Sequence, residues 1–231
     1  MRRARCRLAP SPANVDVRRL GLVPYEQAWA LQKQLAEARR AGIIPDTLIL
    51  LEHPHVYTIG RSGTRDHVYL SDEELSERGI TCLSVDRGGD VTYHGPGQLV
   101  GYPIFDLGPT PDVGRYLRNI EGCLIDVLAD FGVSAGRLEG YTGVWIGDQK
   151  KIAAIGVKVS QGITTHGFAL NVATDLSLFG HILPCGIPDK GVTSMAAELG
   201  RTPAMRDVEQ AVVAQFSERF AVPERPAAHV A

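Results

Sequence analysis

The chain has 231 residues, 44% hydrophobic and 22% charged, a balance that suits one soluble globular unit and excludes disorder, collagen or coiled coil as a description of the whole. Its 24 basic and 26 acidic residues leave a net charge of −2, without the basic footprint of a dedicated nucleic-acid or anionic-membrane binder. No apolar run approaches the ~20 residues that span a bilayer. The basic start, Met1-Arg-Arg-Ala-Arg-Cys-Arg7, has no apolar stretch behind it and reads as a frayed tail, not a secretory or transit signal.

Residues 24–39 predict an amphipathic helix, with Pro24 at its first position and Trp29, Leu31, Leu35 and Ala36 along its apolar stripe. Strands are expected at 47–51 and 55–59, interrupted by Pro54, then a short helix at 72–77 and a strand at 80–85. A glycine-rich segment leads into a strand at 98–105. Residues 112–131 predict a second long helix whose apolar face carries Val113, Leu117, Ile120, Leu124, Val127, Leu128 and Phe131, with Gly132 as its stop. Strands follow at 143–146, 152–159 and 166–172, the first two joined by the hairpin turn Gly147-Asp-Gln-Lys150. A last helix at 207–220 precedes a loose end. Strands in runs with helices between them predict an α+β fold around a mixed sheet flanked by helices. One domain is expected over 21–222, between an N-terminal tail at 1–20 and a C-terminal tail at 223–231.

The four cysteines, Cys6, Cys82, Cys123 and Cys185, form no C-x-x-C pair, so neither a zinc ribbon nor a disulfide framework is indicated, and the usage fits a reducing cytosol. Cys82 and Cys123 lie in periodic apolar segments and read as core residues. Cys185 lies in Leu183-Pro-Cys-Gly-Ile187, where the flanking Pro and Gly predict a shaped loop; it reads either as a thiol nucleophile or as a small residue packed in a turn. Lysine occurs only at Lys33, Lys150, Lys151, Lys158 and Lys190. A Lys150-Lys151 pair is usually a solvated hairpin tip, yet a lysine at the mouth of the apolar strand 152–157 is partly desolvated and becomes a usable base. An ammonium about 4 Å from a thiolate attracts it by roughly 4 kcal/mol at an effective dielectric near 20, enough to activate a thiol. The segment Arg87-Gly-Gly-Asp-Val-Thr-Tyr-His-Gly-Pro-Gly97-Gln98 is the densest signal. It is neither a P-loop nor a dinucleotide fingerprint, and Arg87, Tyr93 and His94 among glycines favour a binding loop over a plain connection. His53, His55, His94, His166 and His181 show no helical i, i+4 metal spacing, so no metal is expected, and no G-x-S-x-G elbow marks a serine hydrolase.

Together these segments resemble the lipoyl(octanoyl) transferases, the octanoyl-[acyl-carrier-protein]:protein N-octanoyltransferases. The resemblance runs through Leu51-Glu-His-Pro-His-Val-Tyr-Thr-Ile-Gly-Arg61, Arg87-Gly-Gly-Asp-Val-Thr-Tyr-His-Gly-Pro-Gly-Gln-Leu-Val-Gly-Tyr-Pro103, Gly143-Val-Trp145, Lys151-Ile-Ala-Ala-Ile-Gly156, Thr165-His-Gly-Phe-Ala-Leu-Asn-Val172, Pro184-Cys-Gly-Ile187 and Val192-Thr-Ser194. It implies the fold of biotin and lipoate-protein ligases and a Cys/Lys dyad on Cys185 and Lys151, since the family lysine directly precedes Ile-Ala-x-Ile-Gly. It places substrate contacts on Arg87, Gly88, Gly89, Asp90, Val91, Thr92, Tyr93 and His94, on Ala154, Ile155 and Gly156, and on Gly167, Phe168 and Ala169. The implied reaction, the first step of endogenous protein lipoylation, moves an octanoyl group from octanoyl-acyl carrier protein to the acceptor lysine of a lipoyl domain. The acceptors would be 2-oxoacid dehydrogenase subunits and the glycine-cleavage H protein. It implies no cofactor, no nucleic acid and no membrane, and a cytoplasmic monomer. His55 departs mildly from the family pattern, and the Arg-rich first seven residues match no family motif. The alternatives are an ATP-dependent lipoate-protein ligase of the same fold and a carrier-protein-binding module without catalysis.

Overall fold

The run Thr47-Leu-Ile-Leu-Leu51 is buried on both faces, and its period of two divides it between two cores. Leu48 and Leu50 join one apolar cluster and Ile49 and Leu51 the other, so the strand must lie inside a sheet covered on both sides. The structure, a computed structural model, describes residues 15–183 and 190–220. In chain order the elements are β1 (Asp16–Leu22), α1 (Tyr25–Arg40), β2 (Thr47–Glu52), β3 (Val56–Ile59), α2 (Asp72–Glu77), β4 (Thr81–Ser84), β5 (Val91–His94), β6 (Gln98–Ile104), α3 (Val113–Asp130), β7 (Gly136–Leu138), β8 (Tyr141–Ile146), β9 (Lys150–Ser160), β10 (Ile163–Asn171), β11 (Gly191–Val192), α4 (Met195–Leu199) and α5 (Met205–Arg219). The large sheet runs β1-β2-β6-β10-β9-β8-β7, with β11 added in parallel beside the start of β9. The pair β1/β2 is also parallel and the other neighbours are antiparallel, so the sheet is mixed, as expected.

Helices α3 and α5 cover one face through Ile120, Leu124, Val127, Val212 and Phe216. Helix α1 covers the other through Ala28, Leu35 and Ala36. Asp112 caps α3, its side chain accepting the Arg115 N–H at 2.9 Å, and Ser71 and Glu74 form a capping box on α2. A second sheet, ordered β4-β3-β5, packs its own core against the 3₁₀ turn Leu176–His181. The residues joining β2 to β3 and β5 to β6 connect the two sheets, and Glu52 fixes the second junction by accepting the Gly97 N–H at 2.6 Å.

Several details differ from the sequence reading. Strand β1 takes in residues 16–20, placed there in a tail; with its exposed edge it carries little of the alternation that marks a strand. Strand β5 occupies the middle of the segment read as a loop. Pro24 is the N-cap of α1 and not its first residue. Among the cysteines, Cys123 is buried and Cys82 only half-buried; Cys6 and Cys185 lie outside the described residues.

A proline in a central strand removes a ladder donor, and Pro103 sits in β6 between β2 and β10. The neighbouring strand answers it. Thr164 Oγ1 donates to the Pro103 carbonyl at 2.7 Å and accepts the Phe105 N–H at 2.8 Å. Two residues on, His166 adopts a left-handed φ of 57° and its N–H turns to Gln32 Oε1 on α1 at 2.6 Å. Thr164→Val keeps the shape and orphans both buried backbone groups. It is expected to cost ~3 kcal/mol in urea unfolding; a loss under about 0.5 kcal/mol would show that the hydroxyl is not needed.

Candidate active site

Strands β9 and β10 pair Ala154 with Ala169, Ile155 with Phe168 and Gly156 with Gly167, and the small residues Ala154, Gly156, Gly167 and Ala169, with the backbone of Ile155 and Phe168, floor a cleft. The segment 87–94 forms its opposite wall. Gly88 donates to the Val157 carbonyl at 3.0 Å, and a Cβ on Gly156 would stand 2.8 Å from the Gly88 carbonyl. Only glycine permits that approach. Twelve of the fourteen residues singled out for substrate contact line this cleft: Arg87, Gly88, Gly89, Asp90, Thr92, His94, Ala154, Ile155, Gly156, Gly167, Phe168 and Ala169. Val91 and Tyr93 do not. They alternate with Thr92 and His94 along β5 and point into the core of the small sheet. Tyr93 is held there by its hydroxyl, which is 2.7 Å from His55 Nδ1.

Arg87 is buried at 7% exposure. Its Nη2 donates to the Thr58 carbonyl and hydroxyl at 2.7 and 2.8 Å, and its Nη1 to the Gly88 carbonyl at 3.0 Å. Thr58 in turn lies 3.5 Å from His94 Nε2. Burial holds the His94 imidazole well below the usual histidine range, so it is neutral. Its Nδ1–H donates to Gln98 Oε1 at 2.8 Å, Gln98 Nε2 donates to Asn171 Oδ1 at 2.9 Å, and Asn171 donates to the Thr193 carbonyl at 2.9 Å. One hydrogen-bonded chain therefore runs from the small sheet through β6 and β10 to the residues that follow β11.

Tyr25, Tyr102 and His166 also line the cleft and were not among the predicted contacts. They come from α1, β6 and β10, whose convergence leaves no local pattern, although His166 lies within the motif Thr165–Val172. Burial lowers the His166 pKa against the opposing pull of Asp86. The neutral ring donates from Nε2 to Asp86 at 2.8 Å, and its Nδ1 is 3.4 Å from the Tyr25 hydroxyl. Asp86 also accepts from Trp29 Nε1 at 3.1 Å and Lys158 Nζ at 2.6 Å. Burial works to raise its pKa, but the Lys158 and His166 hydrogen bonds outweigh that and hold it at about 2. His53 lies beneath, donating from Nδ1 to the Val23 carbonyl at 2.6 Å and accepting from Tyr102 at 2.7 Å, with its pKa pushed down by burial to about 4.

Lys151 stands at the other end. It is 8% exposed and lines a narrow pocket that shares Thr92, Ala154 and Ala169 with the cleft. Its Nζ is 4.8 Å from the Trp145 ring centroid, a distance at which the ring face attracts an ammonium. Trp145 is positioned from below. Glu121 on α3, fully buried, accepts from Arg118 at 2.6 Å, Arg137 at 3.0 Å and the Gly143 N–H at 3.0 Å, fixing the strand that carries the indole. Gly143 has φ of 125°, and a Cβ there would sit 2.6 Å from the Ala153 carbonyl. Val192 pairs with Lys151 across β11/β9, and the Thr193 N–H donates to the Lys151 carbonyl at 3.0 Å. Cys185 belongs to residues 184–189, outside the described residues. Among the described residues no three His, Cys, Asp or Glu side chains converge as metal ligands, and no helix is long and apolar enough to cross a membrane.

A family model, the lipoyl protein ligase A/B catalytic domain, matches residues 24–217. An octanoyltransferase of Chloroflexus aurantiacus is 52% identical over 214 residues, spanning 91% of this chain and 96% of the relative. The chain belongs to this family. Two solved structures share its fold. One is a bi-partite lipoate protein ligase from Thermoplasma acidophilum, with a TM-score of 0.68 and 20% identity over 92% of this chain and 86% of that one. The other is a biotin protein ligase from Aquifex aeolicus with biotin and ATP, with a TM-score of 0.54 and 14% identity over 88% and 69%. At such identities the likeness shows the fold alone.

The buried neutral histidines make stability depend on pH. Each has a folded pKa below its unfolded value, so its contribution is full above about pH 6.5 and is lost as pH falls, for His53 until about 4. Unfolding free energy should drop between pH 6.5 and 4 by up to about 1.4 kcal/mol per pH unit per histidine, less steeply in His53→Gln. A profile flat across that window would mean that these rings take up protons in the folded protein as readily as in the unfolded chain.

Proposed function

We propose that this octanoyltransferase works in two steps through a thioester on Cys185, with octanoyl-acyl carrier protein as donor and the acceptor lysine of a lipoyl domain as acceptor. The observation that carries the reading is the position of Lys151. It is a buried amine in a narrow pocket that shares Thr92, Ala154 and Ala169 with the cleft, on the strand that β11 joins just after the segment containing Cys185. Lys151 takes the Cys185 proton, and the thiolate attacks the carbonyl carbon of the donor thioester. The carrier's thiolate leaves and recovers a proton from the Lys151 ammonium. The incoming lysine amine then attacks the new thioester, an amide forms, Cys185 departs as thiolate, and Lys151 accepts the proton that the amine loses. One thioester is exchanged for another in the first step, so no ATP is consumed. The eight-carbon chain lies along Ala154 and Ala169 and the backbone of Ile155 and Phe168, whose side chains face the opposite core, and each buried methylene contributes roughly 0.8 kcal/mol.

Incubation with octanoyl-acyl carrier protein without ATP, followed by intact mass and peptide mapping, should find one octanoyl group on Cys185 that an apo lipoyl domain removes. No adduct, with acylation from free octanoate only when ATP is supplied, would assign the ligase reaction instead. Cys185→Ser should form no adduct at neutral pH, because an alcohol there is a far poorer nucleophile. Lys151→Arg keeps the charge but cannot act as a base, and its turnover should fall by a factor on the order of 10²–10⁴. Normal turnover in that variant would reduce Lys151 to a positioning residue.

A further inference from the structure

Strand β8 supplies a seat for the Lys151 side chain. At Gly143 a Cβ would stand 3.5 Å from both Cδ and Cε of Lys151, so bare backbone lies along the stem. At Trp145 the indole face lies under Nζ, 4.8 Å from the ring centroid. Both residues are fixed by neighbours. Glu121 accepts the Gly143 N–H at 3.0 Å, and Tyr141 meets the indole at an interplanar angle of 64°, with ring centroids 5.8 Å apart. Trp145 is 1% exposed, yet among the described residues its Nε1–H has no hydrogen-bond partner. Burying an unpaired donor costs free energy, and leucine or phenylalanine would supply apolar bulk without that cost. What the indole adds is an electron-rich face, which leucine lacks and phenylalanine has in weaker form.

We propose that Trp145 is a positioning residue of the transfer reaction, its ring face holding the Lys151 side chain in place and stabilising the charge that Lys151 gains with a proton. The inference rests on Lys151 being the base, as argued above. In that step the Cys185 thiol gives its proton to the Lys151 amine, the electron pair stays on sulfur, and an ammonium forms over the indole. The ring's quadrupole attracts an ammonium and has no such hold on a neutral amine. The attraction therefore grows as the proton arrives, and an interaction that strengthens toward the transition state raises kcat without tightening substrate binding. Trp145 lines neither the cleft nor the pocket at Lys151, so it acts through Lys151 and not by touching the acyl group.

The test is steady-state turnover of octanoyl-acyl carrier protein and an apo lipoyl domain by the full chain, with its tryptophans replaced biosynthetically by mono- and difluorinated analogues. Fluorine draws charge from the ring face and nearly preserves its shape, so the fold survives where Trp145→Leu might not. Turnover should fall with each added fluorine, by about fivefold or more in all, while KM for either substrate stays within about twofold. The dependence should be absent from Trp145→Phe, in which the analogues reach only Trp29. An unchanged kcat across the series, a rise in KM as large as the loss in kcat, or a dependence that persists in Trp145→Phe would each overturn the proposal. A second readout needs no turnover. In protein carrying [ε-¹³C]lysine, the signal that Lys151→Arg removes should have methylene protons shifted upfield by the indole face, and an ordinary shift there would also overturn it. Normal turnover in Lys151→Arg would instead overturn the reading of Lys151 as the base.

Discussion

A guanidinium taken out of water must be met by fixed acceptors, and Arg87 is buried where two sheets converge. Its donors go to Thr58 on β3 and to the carbonyl of its own neighbour Gly88, so the segment that walls the cleft is tied to the small sheet before it reaches β5. From Thr58 the same set of hydrogen bonds continues through His94 and Gln98 to Asn171 and the Thr193 carbonyl. Each member satisfies a buried polar neighbour, so none can be removed cheaply. The consequence for function is geometric. The wall of the cleft and the strand after residues 184–189 are held in one frame, and Lys151 shares that frame through its backbone contacts to Val192 and Thr193.

The second constraint is Pro103. Placing it in a central strand deprives β10 of a partner, and β10 responds with a side-chain substitute at Thr164 and a left-handed turn of backbone at His166. That local departure brings Gly167 against β6, where a Cβ would stand 2.1 Å from the Gly101 carbonyl, and turns the His166 ring toward Tyr25 and Asp86. A feature that weakens a sheet in isolation here shapes one end of a binding cleft.

The elements most legible in the sequence were those with long periodic patterns. The helices at α1, α3 and α5 and the strands β2, β6, β9 and β10 lie within a few residues of where hydrophobic spacing put them. Strand β5 was hidden because glycines and a proline flank only four residues, and without it the alternation that sends Val91 and Tyr93 away from the cleft was not apparent. Strand β1 and the short elements β7, β11 and α4 owe their existence to partners far along the chain, which propensity does not report. The same holds at the site. Contiguous motifs contained Arg87, Thr92, His94 and the β9/β10 floor. Asp86 and His166 adjoin Arg87 and Gly167 in the chain, whereas Tyr25 and Tyr102 reach the site from α1 and β6, and only the fold gathers them.

The central claim is that an acyl chain runs along the β9/β10 floor, with its carboxyl end toward Lys151 and its methyl end toward His166. Octanoate labelled with ¹³C at its terminal methyl group, bound to uniformly ¹⁵N-labelled protein, tests this through filtered nuclear Overhauser contacts. The account predicts contacts from that methyl to the amides of Ile155, Gly156, Gly167 and Phe168. Contacts to Lys151 and Val192 instead would contradict it.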